Sequence, residues 1–178
     1  SYDCPIIVDG PSELTIECSD DLSISSPEDF DVYTTDAIGC DPNDVTISLI
    51  SEVITLGACA GDYTITRVLG VTNCTGSTTN FDQVINVVDT TAPVLTIPAD
   101  YTAECSDAHP MDDASAIDNC GDISISVEST TTEGACAGDY TITRVFTAVD
   151  DCGNSSSETQ IISIIDTTSP EFTFVPAD

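Results

Sequence analysis

Apolar positions in this chain come in short runs that alternate with polar ones, and they do not form the stripes of amphipathic helices. The cleanest alternation covers 140–149, where Tyr140, Ile142 and Phe146 share one parity and threonines fill much of the other. Around it, 93–98, 101–105, 123–127 and 160–165 also read as strands. An irregular acidic stretch ends at Asp118-Asn119-Cys120-Gly121, and Asp150-Asp151-Cys152-Gly153-Asn154 reads as a turn. Strands are therefore expected nearly everywhere, and the fold class is all-β.

The same pattern recurs. Gly-Ala-Cys-Ala-Gly-Asp-Tyr-Thr-Ile-Thr-Arg-Val stands at 57–68 and again, letter for letter, at 134–145, 77 residues further on. That offset also carries Asp89-Thr90-Thr91 onto Asp166-Thr167-Thr168 and Pro93 onto Pro170. The predicted organisation is a first repeat at 1–89, a second at 90–166, and the first strand of a third at 167–178.

Charge narrows the function classes. The 32 acids face two arginines and no lysine, a formal net charge of -30, so charge attraction excludes nucleic acid and anionic membrane as partners. Acids gather beside turn residues, as at Asp20-Asp21, Asp112-Asp113 and Asp150-Asp151, where oxygen ligands for calcium would sit. A hydrophobic content of 40% rules out a disordered polyacid, while no stretch reaches the ~20 apolar residues of a membrane span. Membrane insertion is not expected. Ser1 lacks the basic and apolar regions of a signal peptide, which suggests a piece of a longer secreted chain.

Cysteine usage points to the same compartment. Cys18, Cys40, Cys59 and Cys74 fall in the first repeat and Cys105, Cys120, Cys136 and Cys152 in the second, with Cys4 left over. Even sets in register, with no Cys-x-x-Cys and one histidine in the chain, predict disulfides in an oxidising exterior rather than zinc.

The phrase Gly138-Asp139-Tyr140-Thr141-Ile142 resembles the start of the sixth strand in immunoglobulin and fibronectin type III sandwiches. A unit of this length suits a small immunoglobulin-like Greek-key sandwich stapled by disulfides. In that topology the second-to-third and sixth-to-seventh strand loops share one end, which predicts Cys120 with Cys152 and Cys105 with Cys136. Repetition then gives Cys40 with Cys74 and Cys18 with Cys59. The other two connectivities of four cysteines stay open.

Arg67 and Arg144 sit at the same place in the long strand, and Glu17 and Glu104, each just before a cysteine, are the expected structural ion-pair partners. His109 stands alone in an irregular loop with no Ser or Cys at triad-like spacing, so catalysis is not expected.

Asp-Asn-Cys-Gly at 118–121, Asp-Asp-Cys-Gly-Asn at 150–154 and Asp-Thr-Thr-Ala-Pro at 89–93 resemble hyalin-type (HYR-like) repeats, in the four-cysteine variety of giant Bacteroidetes surface adhesins. The resemblance implies an immunoglobulin-like fold, secretion by the type IX route, and membership of the SprB-type gliding-motility adhesin class. The first repeat departs from it, with Gly-Cys-Asp-Pro around Cys40 and Asn-Cys-Thr-Gly around Cys74.

At the joint between repeats, Asp89 is expected to approach Asp118, Asp150 and Asp151 and to hold calcium that stiffens the array, as at the joints of cadherin-like chains. Without metal, the aspartate would cap a hydrogen-bonded linker. Asp-Thr-Thr also resembles the Bacteroidetes O-glycosylation signal, which would put sugars on Thr90 and Thr167. Asn73-Cys74-Thr75 and Asn154-Ser155-Ser156 match the N-glycosylation pattern. The expected function is a non-enzymatic extracellular stalk or filament segment whose partners are neighbouring repeats. The alternatives are direct binding of surface glycans, or lateral self-assembly of identical chains through Cys4 and an edge strand at 172–175.

Overall fold

A computed structural model describes residues 6–9, 12–20, 31–34, 46–136 and 138–172. Among them there are twelve strands and no helix, so no helix is long and apolar enough to cross a membrane. Two compact units divide the chain. The first comprises residues 1–91 with the turn 119–122, and the second comprises 92–118 and 123–178.

In the second unit, β8 (Tyr101–Glu104), β10 (Ile123–Glu133), β11 (Tyr140–Asp150) and β12 (Ser155–Ile165) form a sheet in the order β10-β11-β12-β8. A second, two-stranded sheet pairs β7 (Val94–Thr96) with β9 (Ser115–Ile117). These lie over β12 and β10, closing an immunoglobulin-like sandwich. The first unit has the same strand order. Its four-stranded sheet runs β2-β6-β5-β4, from β2 (Glu13–Glu17), β4 (Thr46–Leu56), β5 (Tyr63–Thr72) and β6 (Thr78–Val88). Its two-stranded sheet pairs β1 (Ile6–Asp9) with β3 (Asp31–Thr34).

Alternation decides what is buried. Side chains along a strand point to opposite faces in turn, and in β11 it is Ile142, Arg144, Phe146 and Ala148 that face inward. Ile142 packs with Ile162 and Ile164, flanked by Tyr101, Ala103 and Tyr140. The first unit repeats the cluster with Ile65, Ile85 and Val87, flanked by Leu14, Ile16, Cys18 and Tyr63.

The structure departs from the sequence expectation, or adds to it, at four places. The stretch before Cys120 holds a strand, β9, whose Ser-Ala-Ile sequence is too short for alternation to declare itself. Strand β10 extends to Glu133, because all of its residues find partners along β11. In β4 the register shifts between Leu49 and Ser51, leaving Ile50 as the extra residue of a bulge. Of the proposed third-repeat strand, Asp166 to Phe172 is described and is not a strand, and 173–178 lie outside the described residues.

Candidate functional site

Within each four-stranded sheet, the strand earliest in the chain pairs in parallel with the last. β8 runs beside β12 from Tyr101 opposite Ile162 to Glu104 opposite Ile165, and β2 runs beside β6 from Glu13 opposite Val84 to Glu17 opposite Val88. Parallel pairing sets the end of the early strand beside the end of the last one. The chain's exit from the unit is therefore within reach of Glu17 and Glu104.

Both glutamates use that reach in the same way. Glu17 accepts hydrogen bonds from the Thr90 amide, at 3.2 Å, and from the Thr90 hydroxyl. Glu104 accepts from the Thr167 amide, at 3.1 Å, and from the Thr167 hydroxyl. The aspartate before each threonine bends the chain once more: Asp89 Oδ1 accepts from the Thr91 amide at 3.2 Å, and Asp166 Oδ1 from the Thr168 amide at 3.1 Å. Each Asp-Thr-Thr segment is thus an aspartate-capped turn clamped by a glutamate of its own unit. The two threonines expected to carry sugars are solvent-exposed, but their hydroxyl protons are already donated, and a glycosidic bond at either would remove that donor.

The expected ion pairs with these glutamates do not form. Glu17 lies opposite Val88, whereas Arg67 lies opposite Gln83, five residues away along the same strand or about 17 Å at ~3.3 Å per residue. Arg67 pairs instead with Glu52 on β4, Nε to Oε2 at 2.6 Å. Arg144 has Ser129 at the matching position of β10. It donates to the Asp112 carbonyl at 2.9 Å and to Gln160 Oε1 at 3.1 Å, with its guanidinium 4.6 Å from the Phe146 ring centre. Glu52 was missed by sequence reasoning although a signal existed. Pairing Leu56 with Tyr63 across the loop puts Glu52 directly opposite Arg67.

Opposite the exit pole, equivalent turns are held by equivalent residues. Asn73 Oδ1 accepts from the amides of Thr75 and Ser77, each at 3.0 Å, and from the Thr75 hydroxyl. Asp150 accepts from the Asn154 amide at 2.8 Å and its side-chain amide at 2.9 Å. Burial favours the neutral Asp150 carboxyl, but the bonds from Asn154, Gly153 and Cys152 outweigh it and hold its pKa below the ordinary value. Asn73 is buried in its turn and does not present its amide to a glycosyl donor. Among the residues expected to hold calcium, Asp118 and Asp150 bring carboxylate oxygens within 4.8 Å of each other in the second unit. Asp89 is buried at the end of the first unit's last strand, and Asp151 is exposed in the turn after β11.

The cysteines depart from the expected connectivity. Cys18 is joined to Cys120, with 6.3 Å between their Cα atoms, within the range a disulfide spans. The expectation kept every bond inside one repeat, but the turn 119–122 belongs to the first unit, where it brings Cys120 to the end of β2. Cys59, Cys74 and Cys152 are disulfide-bonded as well, while Cys4 and Cys40 lie outside the described residues. Cys105 and Cys136, expected to bond to each other, are exposed thiols. The Cys136 thiol is engaged elsewhere: its hydrogen bond to Asp139, with burial and the nearby charges of Asp139 and Asp166 adding to it, pushes its pKa up. Asp139 is held low by that same bond and by the Asp166 amide, which donates to it at 3.0 Å.

No protein-family model and no curated protein sequence matches the chain. Among solved structures it is similar to human mucin-like protocadherin EC1-2, at 10% identity and TM-score 0.33 over 93% of this chain and 100% of that one. Human CDH23 EC21-23 gives 11% and 0.33 over 86% and 67%. The protocadherin GammaB4 extracellular domain gives 14% and 0.37 over 92% of this chain, which spans 35% of that one. Superpositions this loose assign no family.

Proposed function

We propose that this chain is a structural segment of an extracellular cell-surface adhesin or filament, a stalk that carries load along its length. The observation that supports this most is the parallel pairing of the first and last strands of each four-stranded sheet. Tension along the chain reaches β8 through β7, which is paired with β9, and leaves at the end of β12, pulling the two parallel strands past each other. All of their inter-strand hydrogen bonds then resist together, whereas a peeled pair gives them up one at a time. The glutamate clamps add to this by fixing where the chain leaves each unit.

An extracellular site fits the disulfides, which persist in oxidising surroundings. The net charge of -30 keeps such a chain from collapsing onto anionic surfaces. Membership of the hyalin-like adhesins of Bacteroidetes, with type IX export, remains part of this proposal on the strength of the turn motifs around Cys120 and Cys152.

Calcium enters the proposal at the acidic turns, where the Asp118 and Asp150 oxygens of the second unit would supply two of the six to eight ligands the ion takes. Thermal melting in saturating calcium and in chelator tests this. A melting point raised only by calcium supports it, and identical melts remove calcium from the account.

Lateral association is a second reading favoured by one observation. β4 is an edge strand, and Leu56, Val53 and Ile54 on it are 82%, 61% and 55% exposed. Long apolar edges invite pairing with another strand. Sedimentation of the full chain across a wide concentration range distinguishes the readings, since a stalk unit stays monomeric and a filament unit does not.

A further inference from the structure

The exit poles of the two units are built alike but are not covered alike. In the first, the Cys18 amide donates to the Val88 carbonyl at 2.9 Å; in the second, the Cys105 amide donates to the Ile165 carbonyl at 2.9 Å. A turn follows each cysteine, closed by the Asp20 amide on the Glu17 carbonyl at 2.9 Å and by the Asp107 amide on the Glu104 carbonyl at 3.0 Å. Glycine lets the loop before the long strand come down on the same aspartate in both. A side-chain carbon at Gly61 would lie 2.6 Å from the Asp89 Cβ, and one at Gly138 would lie 3.3 Å from the Asp166 Cβ. Glu17, Cys18 and Asp89 thus repeat the arrangement of Glu104, Cys105 and Asp166, each set with its oxygen and sulfur atoms within 4.8 Å of one another.

The occupant is what differs. Turn 119–122 belongs to the first unit, although the residues on both sides of it belong to the second. It carries Cys120 into its bond with Cys18, and the Asn119 side-chain amide donates to both sulfurs, at 3.3 Å to Cys18 and 3.4 Å to Cys120. In that unit Asp89 is buried and Cys18 half-buried. Their counterparts in the second unit, Asp166 and Cys105, are exposed, and Cys105 keeps its thiol.

We propose that the exit pole of the second unit is the docking site for a cysteine-bearing turn of the Asp-Asn-Cys-Gly kind, supplied by a following unit of an array, and that Cys105 forms a disulfide with its cysteine. The first unit shows what covers such a pole, because there the turn of that sequence is seated and bonded. Charge does not bar it: the acids at the vacant pole, Glu104 and Asp166, match Glu17 and Asp89, beside which Cys18 already holds its turn. Bond formation takes one proton and one electron from each of the two thiols. A low-molecular-weight disulfide of the oxidising exterior accepts them and becomes two thiols, so one S–S bond forms as another breaks. The outcome is a covalent cross-link from each unit to a turn of the next. The proposal rests on the stalk reading for its following unit, but the two fail separately. Loss of the cross-link leaves the shear geometry of the parallel strands untouched, and a weak response to pulling leaves the cross-link untouched.

The test offers the full, unreduced chain a peptide of residues 116–123, Ala-Ile-Asp-Asn-Cys-Gly-Asp-Ile, whose cysteine is activated as a thionitrobenzoate disulfide. The Cys105 thiolate attacks the peptide sulfur, the new disulfide forms, and the coloured thionitrobenzoate anion leaves with the electron pair of the broken bond. Release should be about tenfold faster than from a peptide of the same residues in scrambled order, because docking orients the reacting sulfurs. Peptide mapping of the parent should place the attachment at Cys105. Cys105→Ser should lose the fast phase while circular dichroism shows the fold retained, Cys136→Ser should keep it, and Asn119→Ala in the peptide should slow it toward the scrambled rate. Equal rates for the ordered and scrambled peptides would overturn the proposal. So would a fast phase that survives Cys105→Ser, or a map of the untreated chain in which Cys105 is already joined to Cys136.

Discussion

Replacing Glu52 by serine gives the first unit the residue that the second already carries at that place, Ser129, and the consequence can be worked from the two environments. The Arg67 side chain is 7% exposed and Glu52 is 31% exposed. Breaking a fully buried pair costs about 3–5 kcal/mol and an exposed one about 0.2–1, so this half-covered pair falls between. Arg67 also has a fallback. Gln83 stands opposite it on β6, as Gln160 stands opposite Arg144, and Gln160 does accept a bond from Arg144. With that partial rescue the loss is about 1–2 kcal/mol, or roughly 5–10 °C in the melting point of a unit this size. Differential scanning calorimetry that resolves the two units is the assay, with Ser129→Glu as the reverse substitution, expected to raise the second unit by about 1 kcal/mol through a new pair with Arg144. A double-mutant cycle of Glu52→Ser with Arg67→Met isolates the pair itself. A first unit that melts unchanged, or a coupling under about 0.5 kcal/mol, would refute the view that this ion pair holds the β4–β5 hairpin.

Three further outcomes follow from the same geometry. Glu104→Ala removes both bonds to Thr167 and should speed hydrogen exchange at the Thr167 amide about tenfold, with the β11 core amides unaffected; equal exchange in variant and parent would show that the clamp does not order the exit. Asp139 and Asp150 both have folded pKa values below the ordinary carboxylate value of about 3.9. Their contribution to the second unit is therefore fully present above that value and lost as the pH falls through the folded values. Melting between pH 7 and pH 2 should show a steeper acid decline in the parent than in Asp139→Asn/Asp150→Asn, and parallel curves would contradict the assignment. Asn73→Ala strips the β5–β6 turn of its acceptor and should cost the first unit about 1–3 kcal/mol, read as a lowered denaturation midpoint with unchanged slope.

Much of this was legible in the chain because the physics was local. Alternation along 140–149 gave both the strand and its buried face. The Asp-Thr-Thr turn was also legible, since an aspartate two residues before an amide is a local device. Pairings across the sheet were harder to read. Glu17 and Glu104 looked like partners for the arginines from their repetition alone, but strand register places them about five residues too far along. The cysteines failed for a related reason. Connectivity depends on where loops fall in space, and the turn carrying Cys120 belongs to the first unit, where it bonds to Cys18. Strand β9 was invisible because three residues are too few to carry periodicity, and only pairing with β7 makes them a strand.

The most direct test of the load-bearing claim is single-molecule pulling on the second unit in two geometries. In one, force enters at the unit's N-terminal end and leaves after Ile165, so that once β7 parts from β9 the parallel β8–β12 pair is loaded in shear. In the other, the second handle is inserted at Gly153, in the turn before β12, where an added side chain meets open space. There the load meets the same strand pair from one end only and peels it. The account predicts a markedly higher unfolding force in the first geometry. Equal forces in both, or unravelling at low force when the unit is pulled from its ends, would contradict it.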